Sequence, residues 1–292
     1  MNHIEDGIVA AADAQSLGGI AAGSYALKTD IAPDSTMLGG KAPEYYLQPR
    51  NLLDNSDFTN PVNQRGATTY TGSLYTIDRW RTWGSSSTVT ITSDGIKGDG
   101  TDASVLYQNI ENNKIPWDKA YTMAVGYSDG SVLCASGVFT SEQGVGIWSS
   151  EAQAYLTNTD SKTTRLIRLW HATKTIVWAA LYEGVYTADT LPPYVPKGYA
   201  AELAECQRYY NIIPYDMDDY SVNANTAYPS MYPVSFPEMR IVPTVTLQEN
   251  WNVGSAGVSV DFRTKSSLAF QAAATTSSRV AWHGKIELNA DL

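Results

Sequence analysis

The chain has 292 residues, only 17% of them charged, and a formal net charge of −10; that length allows two ordinary domains, each with its own core. The acidity argues against a nucleic-acid or anionic-membrane partner, because phosphates would be repelled and no Lys/Arg cluster offsets the balance. No apolar run reaches the roughly 18 residues of a membrane span, so no membrane insertion is expected.

Gly, Pro, Ser, Thr and Tyr are plentiful, which suits strands and turns better than a helical bundle. The start MNHIEDGIVAAADAQ lacks the basic and apolar regions of a secretion signal, so synthesis in a cytoplasm is expected, with exit by lysis or inside a particle. Cys134 and Cys206 read as two buried free thiols rather than a disulfide framework.

Residues 1–50 hold a repeat. Asp13, Leu17-Gly18-Gly19, Ala21 and Tyr25 recur 21 positions later as Asp34, Leu38-Gly39-Gly40, Ala42 and Tyr46. A unit that small cannot bury its Leu and Tyr alone and must stack on neighbours. Two further copies of the chain around a threefold axis would supply them; the alternative is a floppy Ala/Gly linker.

The composition shifts at Pro49-Arg50-Asn51. Leu53 and Phe58 read as apolar anchors around a turn at 55–57. Residues 76–83 read as a strand, with Ile77 and Arg79 on one face and Asp78 and Trp80 on the other. Runs at 88–92, 105–110, 121–127, 132–139, 146–148, 154–156, 164–170 and 175–182 follow, separated by turn sequences such as Asp94-Gly95 and Gly98-Asp99-Gly100. That spacing predicts an antiparallel sandwich over 51–191. Its last run is apolar on both faces and needs an outer cover, from the following helix or another subunit.

The spacing of Tyr199, Leu203, Cys206 and Tyr210 predicts a helix over 197–210 that buries those residues and leaves Glu202, Glu205 and Arg208 in water. Residues 211–237 read as a loop-rich stretch. Strands at 240–250, 256–264, 267–272 and 279–288 are then too few to wrap a large core alone, so the 192–292 part is expected to pack in a trimer.

No sequence motif of an enzyme is present. His3, His171 and His283 have no ligand-like spacing, and no carboxylate pair is singled out for glycoside hydrolysis. Asp216, Asp218 and Asp219 offer a weak Ca²⁺ candidate that lacks the calcium-loop pattern, so no cofactor is expected. Eight Trp and nineteen Tyr are the informative feature, because these rings give a sugar a flat apolar face and a polar edge. Trp80, Trp170 and Trp178 read as packing residues. The candidate binding residues are Trp117, Tyr215, Tyr220, Tyr228 and Tyr232, placed on loops, with Asp218, Asp219, Asn223 and Asn225 as hydrogen-bonding partners.

Three stretches carry a resemblance to the tail fibre proteins of bacteriophages and prophages. They are Glu202-Leu203 with Cys206-Gln207-Arg208-Tyr209-Tyr210, then 236–244 (FPEMRIVPT), and the Leu-Gly-Gly repeats. The tract from Asn51-Leu52-Leu53 to Asp78-Arg79-Trp80 likewise resembles the opening of a jelly-roll module, similar in style to carbohydrate-binding modules. The resemblance implies an all-β homotrimer with an extended stalk, a jelly-roll sandwich, one short helix and a small β tip domain. It further implies a virion protein that docks on other tail or fibre proteins through its N-terminus and binds a bacterial surface glycan or protein receptor without catalysis. A tail enzyme that degrades surface polysaccharide and the fibre of a phage-tail-like bacteriocin are the alternatives.

Overall fold

The computed structural model describes residues 16–17, 20–21, 49–84, 87–99, 105–149, 152–159, 164–171, 174–219, 230–253, 255–274 and 280–291. The chain divides into two units, Met1–Pro49 with Thr190–Pro193 and Arg50–Asp189 with Tyr194–Leu292. In the first, β1 (Ser16–Leu17) and β2 (Ile20–Ala21) pair antiparallel with Leu17 opposite Ile20. The second copy of the Leu-Gly-Gly repeat lies outside the described residues.

The second unit begins with β3 (Thr69–Thr71), β4 (Arg81–Trp83), β5 (Thr88–Thr92), β6 (Gly95–Gly98), β7 (Val105–Glu111), β8 (Lys119–Tyr127), β9 (Val132–Phe139), β10 (Val145–Trp148), β11 (Ala152–Asn158), β12 (Thr164–His171) and β13 (Ile176–Glu183). They form a five-stranded sheet in the order β10-β11-β12-β7-β4 and a six-stranded sheet in the order β3-β5-β6-β13-β8-β9. Strand alternation sends Leu106, Ile110, Ile167 and Leu169 of the first sheet and Val89, Met123, Val125 and Leu181 of the second into one shared core. The eight expected runs are all strands. Residues 95–98 are a strand as well, although the glycines there had read as a separator. Ile96 fills the core, and Gly95 is needed because a Cβ there would lie 2.2 Å from the Ile176 carbonyl oxygen.

The expected alternation across 76–83 does not form. Only Arg81–Trp83 is strand, and Thr76, Ile77, Asp78, Arg79 and Trp80 are all buried. The Trp80 amide bonds the Ile77 carbonyl at 3.1 Å, closing a turn in which Arg79 adopts the left-handed φ of 72°. The entry segment 51–58 runs beside β13, with backbone bonds from Leu52 to Leu181, from Ala179 to Ser56 and from Phe58 to Val177. Asn51 completes the edge by accepting from the Leu181 amide and donating to the Ala179 carbonyl. The outer cover of β13 includes Tyr194, which stacks on Trp178 at 4.7 Å and 3°.

The single α-helix among the described residues, α1 (Tyr199–Gln207), buries Cys206 as expected but departs from expectation at two positions: Glu202 is buried and Tyr199 is exposed. Glu202 turns inward because the Asn55 amide, in left-handed backbone at φ 52°, needs an acceptor and finds Glu202 Oε2 at 2.7 Å. Around it lies a buried polar junction. Asp54 accepts from Arg79 Nε at 3.2 Å and from Lys114 Nζ at 3.1 Å, while the Arg79 guanidinium lies 3.4 Å above the Tyr209 ring. Arg65 donates to Asp78 at 3.0 Å and to Asp291 at 3.1 Å, and it stacks on Tyr210 at 3.6 Å. The tyrosine pair after α1 thus clamps the 76–80 turn to the end of the chain.

The stretch expected to be loop holds two strands. β14 (Tyr210–Asp219) joins β19 (Val280–Asn289) and β16 (Thr244–Val253), while β15 (Ser230–Ser235) joins β18 (Ser267–Ala274) and β17 (Ser255–Arg263). These two three-stranded sheets enclose a second core around Met217, Val234, Leu268, Trp282, Ile286 and Leu288, closed by Phe236 and Met239. Six strands therefore wrap what four could not, and the strand count no longer calls for neighbouring copies. Pro214 and Pro233 sit on β14 and β15, edge strands where a missing N–H is tolerated.

Candidate functional site

The five-stranded sheet turns apolar side chains inward, so alternate positions face out, and pairing aligns them in two rows. One row reads Gly146, Tyr155, Arg168, Tyr107 and Arg81 across β10, β11, β12, β7 and β4; the next reads Trp148, Gln153, Trp170, Val105 and Trp83. Trp148 and Trp83, on the two edge strands, are 66% and 57% exposed.

The rings form a connected array. Trp148 stacks on Tyr155 at 5.3 Å and 19°, Tyr155 approaches Trp170 at 5.6 Å, and Trp83 meets Tyr107 edge-on at 5.9 Å. Arg168 lies 5.5 Å from the rings of both Trp83 and Tyr155, and its Nη1 donates to the Tyr155 hydroxyl at 2.6 Å. Arg81 lies 5.7 Å from Tyr75 and 5.9 Å from Tyr107. Ring quadrupoles hold the cations in place while leaving them their hydrogen-bonding function. At the β10 edge a cavity of ≈ 210 Å³ opens among Gly146, Trp148, Tyr155 and Thr157. Gly146 permits it: a Cβ there would lie 2.6 Å from Tyr155 Cβ and 2.9 Å from the Ala154 carbonyl.

An apolar array of this kind on an outer face costs solubility unless something uses it. Its rings suit the apolar face of a sugar, and its arginines suit oxygen acceptors. The two rows contain no Asp, Glu, His, Cys or Ser; their polar side chains are the two arginines, the tyrosines, the tryptophans and Gln153.

No family model, curated protein or solved structure matches the chain.

The residues expected to bind are dispersed. Trp117 is 40% exposed in the bend before β8, where it lies over the buried Arg165 guanidinium at 4.7 Å and points its Nε1 at Asn158 Oδ1, 3.4 Å away. Tyr215 and Asp218 are on β14 and Tyr232 is on β15, so they stand on strands rather than loops. Tyr215 packs on Trp282 at 6.3 Å, and both tyrosines border the second core. The Asp219 side chain and all of Tyr220, Asn223, Asn225 and Tyr228 lie outside the described residues. Of the candidate Ca²⁺ acids, Asp216 pairs with His283 Nδ1 at 3.0 Å; among the described residues no group of three His, Cys, Asp or Glu is placed to hold a metal ion. No described helix is long and apolar enough to cross a membrane.

The carboxylates of the junction are electrostatically unusual but enclosed. Burial pushes Asp78 up to about 6, against the opposing hydrogen bond from Gln64 and the Arg65 charge. Burial likewise raises Asp291 and Glu202. For Asp54 burial acts upward, yet Arg79, Lys114 and Lys197 together hold it down at about 2. Both thiols are free, with Cys206 buried and Cys134 half-buried. Cys134 lines a wider cavity of ≈ 470 Å³ between β9 and residues 185–188.

The two outward rows were missed because their pattern emerges only in register. Each strand shows its part, with Arg81 and Trp83, Tyr107, Trp148, Tyr155, and Arg168 and Trp170 all at outward positions. Nothing local says that five such fragments lie side by side.

Proposed function

We propose that the chain attaches a particle to a bacterial surface glycan through the outer face of the β10-β11-β12-β7-β4 sheet, as the distal part of a phage or prophage tail fibre. The observation that carries the binding role is the two-row array of Trp148, Tyr155, Trp170 and Trp83 with Arg168 and Arg81, underlain by the buried Tyr107. The tail-fibre reading rests on the resemblance of the 202–210 and 236–244 stretches and the Leu-Gly-Gly repeats. The two facing sheets are in keeping with a jelly-roll module.

The stretches that carry the resemblance have physical jobs that suit a fibre tip. Tyr209 and Tyr210 stack on Arg79 and Arg65, Phe236 and Met239 seal the second core, and Arg240 donates to the Ala290 carbonyl at 3.3 Å. Assembly as a homotrimer is part of the proposal. It draws on the stalk repeat and on the exposed apolar side chains Met231, Ile241, Val242 and Phe262. Three linked faces raise avidity by orders of magnitude over one weak sugar contact. The fibre of a phage-tail-like bacteriocin would use the same face.

A glycan array probed with the purified chain, together with an assay for reducing ends released from the glycans it binds, tests this. Retention without release is expected. Release of reducing ends would replace attachment with depolymerisation, and no retention on any printed surface glycan would overturn the reading.

A further inference from the structure

We propose that the ligand of the two-row face is an extended anionic polysaccharide, lying across the strands from Trp148 to Trp83 with its acidic groups at Arg168 and Arg81. This rests on the reading of that face as a glycan site.

The extension follows from strand spacing. Trp148, Trp170 and Trp83 occupy one row on β10, β12 and β4. Each is two strand spacings from the next, roughly 9.5 Å, and the three span about 19 Å. One sugar ring covers one indole; a row of three calls for a chain that repeats its apolar faces along the same line.

The charge follows from what the rows contain. On a chain of net charge −10, the charged side chains in these rows are both arginines. The acid on the same side of β7, Glu111, lies two rows further along and accepts from the Tyr209 hydroxyl at 2.9 Å. Arg81 Nε is buried with no hydrogen-bond partner among the described residues, so that guanidinium is partly desolvated, and an anion at its fork offsets the cost. A second copy seated face to face would set these arginines against their own counterparts, so the like charges disfavour pairing of two copies through this face.

The test is an array of uronic-acid-containing bacterial capsular polysaccharides printed beside their carboxyl-reduced forms. The full chain should bind acidic forms and weaken about tenfold on their reduction, the equivalent of one lost charge-assisted contact. Arg168→Gln should weaken acidic binding by a similar factor, and Trp148→Ala should weaken binding to both forms. Fragments of a bound polysaccharide should gain affinity until they are about 19 Å long. Equal binding to acidic and reduced forms would overturn the anionic assignment and leave the glycan reading standing. A monosaccharide bound as tightly as the longest fragment would overturn the extended mode. Binding to nothing printed would overturn both this proposal and the reading beneath it. So would light scattering in which Trp83→Ala/Trp148→Ala splits an assembly of copies into single chains, because the face would then be an interface.

Discussion

Arg79 sits in left-handed backbone with its side chain 1% exposed, held by Asp54, the Tyr209 ring and the Asn109 carbonyl. Removing a partner from such a group leaves a charge buried without compensation, which costs far more than the pair contributes while intact. Asp54→Asn should therefore lower stability by about 3–5 kcal/mol, read as a fall in the urea midpoint at unchanged slope; a loss below about 1 kcal/mol would mean that water reaches the site. Glu202→Ala should cost about 1–3 kcal/mol by stranding the buried Asn55 amide, whereas an exposed helix position, as first read, would cost almost nothing. That difference explains why the inward turn of Glu202 was illegible in sequence, while the burial of Cys206 and Tyr210 was not. Helical spacing puts Tyr199 and Leu203 inward, but the acceptor needed at Asn55 lies 147 positions away and draws Glu202 in instead.

Strands fare better than side-chain roles, because period-two alternation is local. The runs of the sandwich and the last four strands of the chain were readable from apolar residues bounded by turns. β14 and β15 were not: Ile213, Tyr215 and Met217 alternate as a strand should, but Pro214 and Asp216 between them and Asp218-Asp219 after them look like a loop until the strand is known to be an edge. The proposed binding face was hidden for a related reason, since each strand contributes one or two residues and only register unites them. Gly146 makes that face sensitive to a single Cβ. Gly146→Ala should force β10 from β11 and move Trp148 off Tyr155, weakening glycan binding severalfold while the β8 side of the core stays intact. Near-ultraviolet circular dichroism would report the broken stack, and an unchanged tryptophan signal would contradict it. Gly126→Ala tests packing on the opposite sheet. Its Cβ would fall 2.2 Å from the Trp178 ring and break the stack with Tyr194, at a cost of about 1–3 kcal/mol.

The buried junction ties the sandwich, α1, the C-terminal sheets and the end of the chain together, so its protonation is felt by the whole unit. Asp78 holds its proton up to about 6 in the folded state, above its ordinary value of 3.8. Its favourable contribution is fully present below the ordinary value and is lost as pH rises through about 6; Asp291 and Glu202 act in the same direction. Asp54, held at about 2, contributes above 3.8 and loses that contribution as pH falls toward 2. The thermal midpoint should thus be higher near pH 5 than at pH 7.5 and fall steeply below pH 3, and Asp78→Asn should flatten the limb above pH 5. A midpoint that climbs from pH 5 to 7.5 would contradict the burial of these carboxyls.

The outer face of the five-stranded sheet remains the claim on which the proposed attachment stands. Its most direct test is the dissociation constant for a bound surface polysaccharide, measured by titration calorimetry on the intact chain, the Trp83→Ala/Trp148→Ala variant and Trp117→Ala. Loss of two exposed ring platforms should weaken binding roughly a hundredfold, with Trp117→Ala close to the intact chain. Undiminished affinity in the double variant, with its thermal midpoint preserved, would contradict the account.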